Sequence, residues 1–321
     1  MVRGPLYRDE YRPAFSGHET FPLRYGWLKK AYDAVAAGQS LPDSRQIFRS
    51  DEAIARFGVG KNMVASIRHW ANCCGIIAED SAAGQLTTTE IGDFLFGENG
   101  VDPYLESTAS LWHIHWLLCC GDPVRPIKTT WFWVFNHFTS VNFKRDDLVE
   151  GLMRLSESRG WKRVARTTVQ RDVECFVRMY ETRPSGLHGP IEESLESPLA
   201  ELGLVRGHKG HFHLARGSKA TLPDGVFAVA LNDFWNRQGS TRTLSFEMVA
   251  YEPGSPGRVF LLDEPDLADH LFGLEDATKG NFRWSETAGL KQMLRDHPLD
   301  PTEAQDLLRG DYKARHGRKA A

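Results

Sequence analysis

The sequence predicts an α+β protein that is mainly α, with winged helix-turn-helix modules joined by a helical core. Three observations carry this. Apolar residues recur at three- and four-residue spacing in several segments, as in helices with one buried face. Near the N-terminus a helical stretch, a glycine turn, a second helical stretch and a hairpin pattern follow one another, the order of a winged helix-turn-helix. Between Trp112 and Phe143 aromatic residues are dense, which predicts packed interior. With 321 residues the chain suits more than one domain. The expected division is an N-terminal winged module at 1–101, an aromatic-rich helical connector at 102–145, a second helix-turn-helix module with hairpin at 146–217, an α+β domain at 218–309 and a basic tail at 310–321.

Tyr25, Leu28, Tyr32 and Val35 form one stripe, so a helix is expected over 24–37. Ser50 is the expected N-cap of a short second helix, with Asp51 and Glu52 in its first turn and Phe57-Gly58-Val59-Gly60 at its end. A third helix is expected over 61–74. Val64, Ile67, Trp70, Ala71 and Cys74 share one face, and Lys61, Asn62, Ala65, Arg68, His69 and Asn72 fall opposite. Short strands at 76–79 and 85–89 complete the module. Lysine and arginine contact phosphates or guanine edges, and asparagine pairs with adenine. Lys61, Asn62, Arg68 and His69 are therefore the first DNA-contact candidates, against the alternative of a solvated helix face.

The second candidate begins with an amphipathic helix over 146–158, built on Leu148, Leu152 and Leu155. A basic stretch, Arg159 to Arg166, leads into a helix expected to be capped by Thr167 or Thr168 and to reach about Glu181. Arg163, Arg166, Gln170 and Arg171 lie near its start, where the helix dipole also favours a phosphate. A hairpin is expected over 202–214. The last third predicts a helix over 222–238, a strand over 259–262, a helix over 265–274, an extended piece at 282–285, a helix near 290–296 and a frayed basic end from Gly310. No internal repeat is apparent.

Net charge is −3, but it is unevenly distributed: +4 over 1–75, −7 over 76–153, +4 over 154–183, −8 over 184–308 and +4 over 309–321. Two of the basic blocks coincide with the candidate modules, and a polyanion ligand needs positive charge on one surface rather than overall. No apolar run reaches the ~18 residues of a membrane span, and the N-terminus has no signal-peptide pattern. Five cysteines, an odd number with two vicinal pairs, predict reduced thiols in the cytoplasm rather than a disulfide framework. Gly58-Val-Gly-Lys61 fails as a phosphate loop, because Ala55 stands where the first glycine belongs and Asn62 where Ser or Thr does. His113 and His115 would point apart on a helix, and the vicinal Cys119 and Cys120 lack zinc-ligand spacing. His211 and His213 would share a strand face near His208, without an evident fourth ligand.

One segment suggests reaction chemistry. Phe15-Ser-Gly-His18-Glu19-Thr-Phe-Pro22 precedes Arg24. As a phosphodiester site, His18 is general base or acid, Glu19 a ligand for magnesium or another divalent cation, and Arg24 a partner for phosphate charge. The alternative is a local turn whose side chains bond to backbone. No standard nuclease motif accompanies it, and no organic cofactor is expected.

Six stretches in order resemble a known family: FSGHETFPLRYGWLKKAYD (Phe15–Asp33), GVGKNMVASIRHWA (Gly58–Ala71), GENGVDPYLE (Gly97–Glu106), TWFWVFNHF (Thr130–Phe138), RDVECFVRMY (Arg171–Tyr180) and SPGRVFLLDE (Ser255–Glu264). Together they are similar to the SspB-like family of the Ssp DNA phosphorothioation system, a bacterial sulfur-modification and defence pathway. The resemblance implies a protein that binds double-stranded DNA and nicks one strand so that sulfur can enter. It also implies a cysteine desulfurase, an ATPase and a PAPS-reductase-like sulfur-transfer protein as partners. It places Lys61, Asn62 and Arg68 as DNA contacts and His18, Glu19 and Arg24 near the cleaved phosphate. The competing readings are a non-catalytic DNA-binding adaptor and a sulfur carrier, the latter disfavoured because there is no CxxC pair.

Overall fold

Three small sheets punctuate a mainly helical chain in the computed structural model, which describes residues 4–38, 43–49, 51–80, 83–182, 197–287 and 289–318. The first stretch holds α1 (Trp27–Gly38), a 3-10 turn (Ser44–Phe48), α2 (Glu52–Phe57), α3 (Lys61–Cys73), the antiparallel pair β1 (Ile77–Asp80) and β2 (Gln85–Thr88), and α4 (Glu90–Phe96). Gly58 ends α2 at φ 65°, a left-handed cap that favours glycine. Along α3 the buried side chains are Val64, Ser66, Ile67, Trp70, Ala71 and Cys73, close to the expected stripe. The expected cap Ser50 lies outside the described residues.

The second stretch begins with α5 (Thr108–Cys119) and α6 (Thr129–Asn136). Trp112, Trp116, Trp131, Phe132 and Phe135 are fully buried, so the aromatic-rich segment fills the interior. Both helices are buried on nearly every side, with a few polar side chains enclosed among the apolar ones. Then come β3 (Asn142–Phe143), α7 (Arg145–Ser158), α8 (Arg166–Tyr180), β4 (Glu181–Thr182), a 3-10 turn (Pro198–Leu202), β5 (Val205–His208) and β6 (His211–Leu214). The sheet order is β3-β6-β5-β4, with β4 parallel to β5. Lys209 and Gly210 turn the hairpin at φ 49° and 79°, the positive values a two-residue type I′ turn requires. His211 and His213 are exposed while Phe212 and Leu214 are buried, so the two histidines share the solvent face.

The third stretch contains α9 (Asp224–Arg237), β7 (Thr243–Ser245), α10 (Phe246–Tyr251), α11 (Pro256–Val259), α12 (Glu264–Ala277), β8 (Phe282–Thr287), β9 (Leu290–Arg295) and α13 (Pro301–Arg318), with sheet order β7-β9-β8. Its plan repeats that of the second stretch from α6 onward. A helix leads to a short strand, further helices follow, and the closing hairpin pairs its second strand back onto the short one. No sequence repeat announces this, because the shared property is connectivity rather than residue identity.

Four local expectations are corrected. The apolar run 259–262 is not a strand: Ser255 caps and Pro256 starts α11, and the chain then turns at Leu261 with φ 53°. All four side chains are buried, so an apolar run alone did not separate helix from strand. Residues 290–295 form β9 rather than a helix, held in register against both β7 and β8. α8 starts at Arg166 with Ala165 as N-cap, without a threonine cap. The chain does not fray at Gly310, since α13 runs through it to Arg318.

Candidate nucleic-acid interface and its buried frame

The N-terminal ends of α3 and α8 present the cationic residues that sequence reasoning singled out. Lys61 and Asn62 are exposed on the first turn of α3 and have no ion pair among the described residues. Arg163, at φ 65° just before α8, is exposed, as are Gln170 and Arg171 on the helix. Neighbouring carboxylates engage two other candidates. Arg68 donates to Glu79 of β1 at 2.5 Å, and Arg166 to Glu150 of α7 at 2.5 Å. His69 is half-buried and turns toward the 14–20 segment. Its ring meets His18 (6.1 Å) and Trp70 (5.0 Å) edge-on, and its Nε2 lies 3.6 Å from Cys73 Sγ. Burial, then the charges of Lys128 and His18, push its pKa well down, so the imidazole is neutral.

Behind these two edges sits a buried polar centre. Asp172, on the inner face of α8, is wholly enclosed. Its Oδ1 accepts from His18 Nε2 at 2.7 Å and lies 3.5 Å from Lys128 Nζ. Its Oδ2 accepts from Thr130 Oγ1 at 2.5 Å. Lys128, also fully buried, donates to the carbonyls of Ala14 (3.2 Å) and Ser16 (3.1 Å). Thr129 Oγ1 accepts from Ala14 N at 2.7 Å. The segment 14–20 is thereby strapped across the start of α6 and onto α8. The same segment reaches α3: the His18 ring stacks on Trp70 at 6.0 Å, and Trp70 Nε1 donates to Phe21 O at 2.9 Å. The two cationic edges thus share one hydrogen-bonded support.

This geometry separates the three residues expected at a cleaved phosphate. His18 is 2% exposed. Its Nδ1 accepts from Thr20 N at 3.0 Å, so Nε2 carries the proton given to Asp172. Both ring nitrogens of His18 are thus engaged within the protein, and they hold the strap. Glu19 is exposed in a left-handed turn at φ 46°. Arg24 lies over the rings of Phe21 (5.7 Å) and Trp27 (5.6 Å). Asp172, Lys128 and Thr130 were missed by sequence reasoning. The available signal was a carboxylate between Val169, Val173 and Phe176 on an otherwise apolar helix face.

Gly17 joins strap to helix. At φ 100° it occupies space in which a Cβ would lie 2.5 Å from His69 Nδ1. Gly17→Ala is expected to destabilise the fold by about 1–3 kcal/mol through backbone strain and displacement of His69. Urea unfolding measures this; an unshifted midpoint would remove the close packing inferred here.

Residues 15–312 match the family described as protein of unknown function DUF4007. Two solved structures are similar over nearly all of the chain. One, described as magnesium-ion-bound SspB, is 30% identical with TM-score 0.83, covering 97% of this chain and 91% of its own. Another, an SspB crystal structure, is 29% identical with TM-score 0.80, covering 96% and 94%. No curated protein matches the sequence. Among the described residues no His, Cys, Asp and Glu side chains form a group of three placed to hold a metal ion, and the Asp172 oxygens are engaged by His18 and Thr130. Extent of match, identity and fold agree, and the chain belongs to the DUF4007 family as an SspB-like protein.

Proposed function

We propose that this chain is a duplex-DNA-binding component of a DNA phosphorothioation system, acting in the cytoplasm beside a cysteine desulfurase, an ATPase and a PAPS-reductase-like sulfur-transfer protein. We read its helix–hairpin units as winged helix-turn-helix modules, with α3 and α8 as groove-facing helices. The observation that carries the reading is the shared frame. Exposed Lys61 and Asn62 on one unit and Arg163, Gln170 and Arg171 on the next are coupled through the His18–Asp172–Lys128 centre. Two cationic edges in fixed relation suit a regular polyanion, because ordering them on binding costs little further entropy. Likeness to SspB structures supports the placement in an Ssp system. Among the described residues no helix is long and apolar enough to cross a membrane.

Strand nicking is the further activity that the SspB resemblance implies. The enclosed His18 favours the second reading, an adaptor that binds DNA and recruits the sulfur-transfer enzymes. Supercoiled plasmid incubated with the pure protein and a panel of divalent cations separates the two. A nickase produces open circles; an adaptor shifts plasmid mobility and leaves the circles closed. Undetectable binding at low salt would end both. A sulfur-carrier role has no support in the thiols: all five cysteines are buried, and burial pushes Cys73 up to about 12 and Cys74 well above the usual range.

A further inference from the structure

In the third stretch α12 holds the place of α3 and α8, the last α-helix before the hairpin, yet its charge is opposite. Residues 263–276 carry six carboxylates and no lysine or arginine, whereas α3 carries Lys61 and Arg68 and no carboxylate. Part of this acidity serves the helix itself. Asp263 caps it by accepting from Asp266 N at 3.1 Å, Glu264 accepts from the Tyr251 hydroxyl, and acidic groups in a first turn complement the dipole. The remainder has no such role. Asp269 lies past the first turn, and Glu275 and Asp276 sit at the end where the dipole disfavours negative charge. All three are exposed; Asp269 and Asp276 form no ion pair among the described residues, and the Arg283 near Glu275 is itself paired with Asp296 at 2.7 Å.

Helical spacing puts Asp269, Phe272 and Asp276 on one face, with Glu275 alongside. Phe272 is 54% exposed and meets Trp284 of β8 edge-on at 5.0 Å; Trp284 packs in turn on Phe246 at 5.9 Å. An open aromatic pair rimmed by carboxylates repels phosphate. It matches a guanidinium or ammonium lying over a ring while its N–H groups bond to carboxylates.

We infer that the α12–β8 face is a docking surface for an arginine- or lysine-bearing segment of a partner protein, so that one module plan serves nucleic acid twice and protein once. The inference stands apart from the DNA reading, since it concerns different residues and a different probe. The test uses the full chain at low ionic strength and a fluorescein-labelled peptide of alternating glycine and arginine, with a citrulline version as neutral isostere. The arginine peptide is expected to bind and the citrulline peptide not. Phe272→Ser and Asp269→Asn/Asp276→Asn are each expected to weaken binding about tenfold, the loss typical of a desolvated cation–π or charge-assisted contact. Thermal unfolding and duplex DNA affinity should stay unchanged in both variants. Equal binding by the variants, equal binding of the citrulline peptide, or a fall in DNA affinity in the α12 variants would each overturn the inference.

Discussion

Asp172→Ala is expected to cost about 3–5 kcal/mol of folding stability, the range for breaking a buried ion pair by removing one partner. Lys128 would remain fully buried without a carboxylate, its charge facing the carbonyls of Ala14 and Ser16 and the Trp131 ring at 5.5 Å, while His18 Nε2 and Thr130 Oγ1 would lose their acceptor. Asp172→Asn keeps the shape but not the charge and is expected to fall between the two. The pH dependence separates these effects. Burial alone would raise the Asp172 pKa, but the Lys128 charge and the bonds from His18 and Thr130 outweigh it and hold the carboxyl below its usual value. A depressed folded pKa means stability that is present above the unfolded value of about 4 and is lost as pH falls through the folded one. The stability difference between the native protein and Asp172→Asn should therefore be flat at neutral pH and shrink below about pH 4. Chemical denaturation across pH measures it. A difference that stays constant into acid would mean that Asp172 is not ionised in the fold.

The combined variant Lys61→Ala/Arg163→Ala/Arg171→Ala is expected to bind duplex DNA on the order of 500-fold more weakly at 0.1 M salt, if each side chain meets a phosphate. Each phosphate contact contributes about 0.9 to the slope of log affinity against log salt, so three contacts remove about 2.7 from that slope. The side chains are exposed and unpaired among the described residues, and folding stability should hardly change. Fluorescence anisotropy on a short duplex over a salt series reads both quantities. An unchanged slope would show that neither edge touches the DNA backbone. Because Arg68 and Arg166 already have carboxylate partners, truncating them should matter less, so the choice of exposed residues is itself under test.

The element pattern of the N-terminal stretch was legible because helical periodicity, glycine stops and turn residues are local signals. The α3 stripe and the β1–β2 hairpin came out close to the expected boundaries. The aromatic-dense segment was legible as interior for the same reason: side chains of that size have few stable places outside a core. Where the run was short and wholly apolar, as at 259–262, or where strand pairing decided the state, as at 290–295, local pattern carried too little information. The surface positions Lys61, Asn62, Gln170 and Arg171 could be placed on outer helix faces from spacing, whereas Arg163 stands in the turn before α8.

The candidate site divides along the same line. By itself the sequence determined which residues carry positive charge and which helix faces they occupy, since both follow from residue type and a 3.6-residue period. Only the tertiary structure decided that His18 and His69 turn inward, that Asp172 meets a lysine 44 positions earlier and a histidine 154 positions earlier, and that α12 repeats the plan of α8 with inverted charge. The reason is that burial and ion pairing depend on contacts between distant segments, and contacts of that kind leave no periodic trace in the chain that makes them.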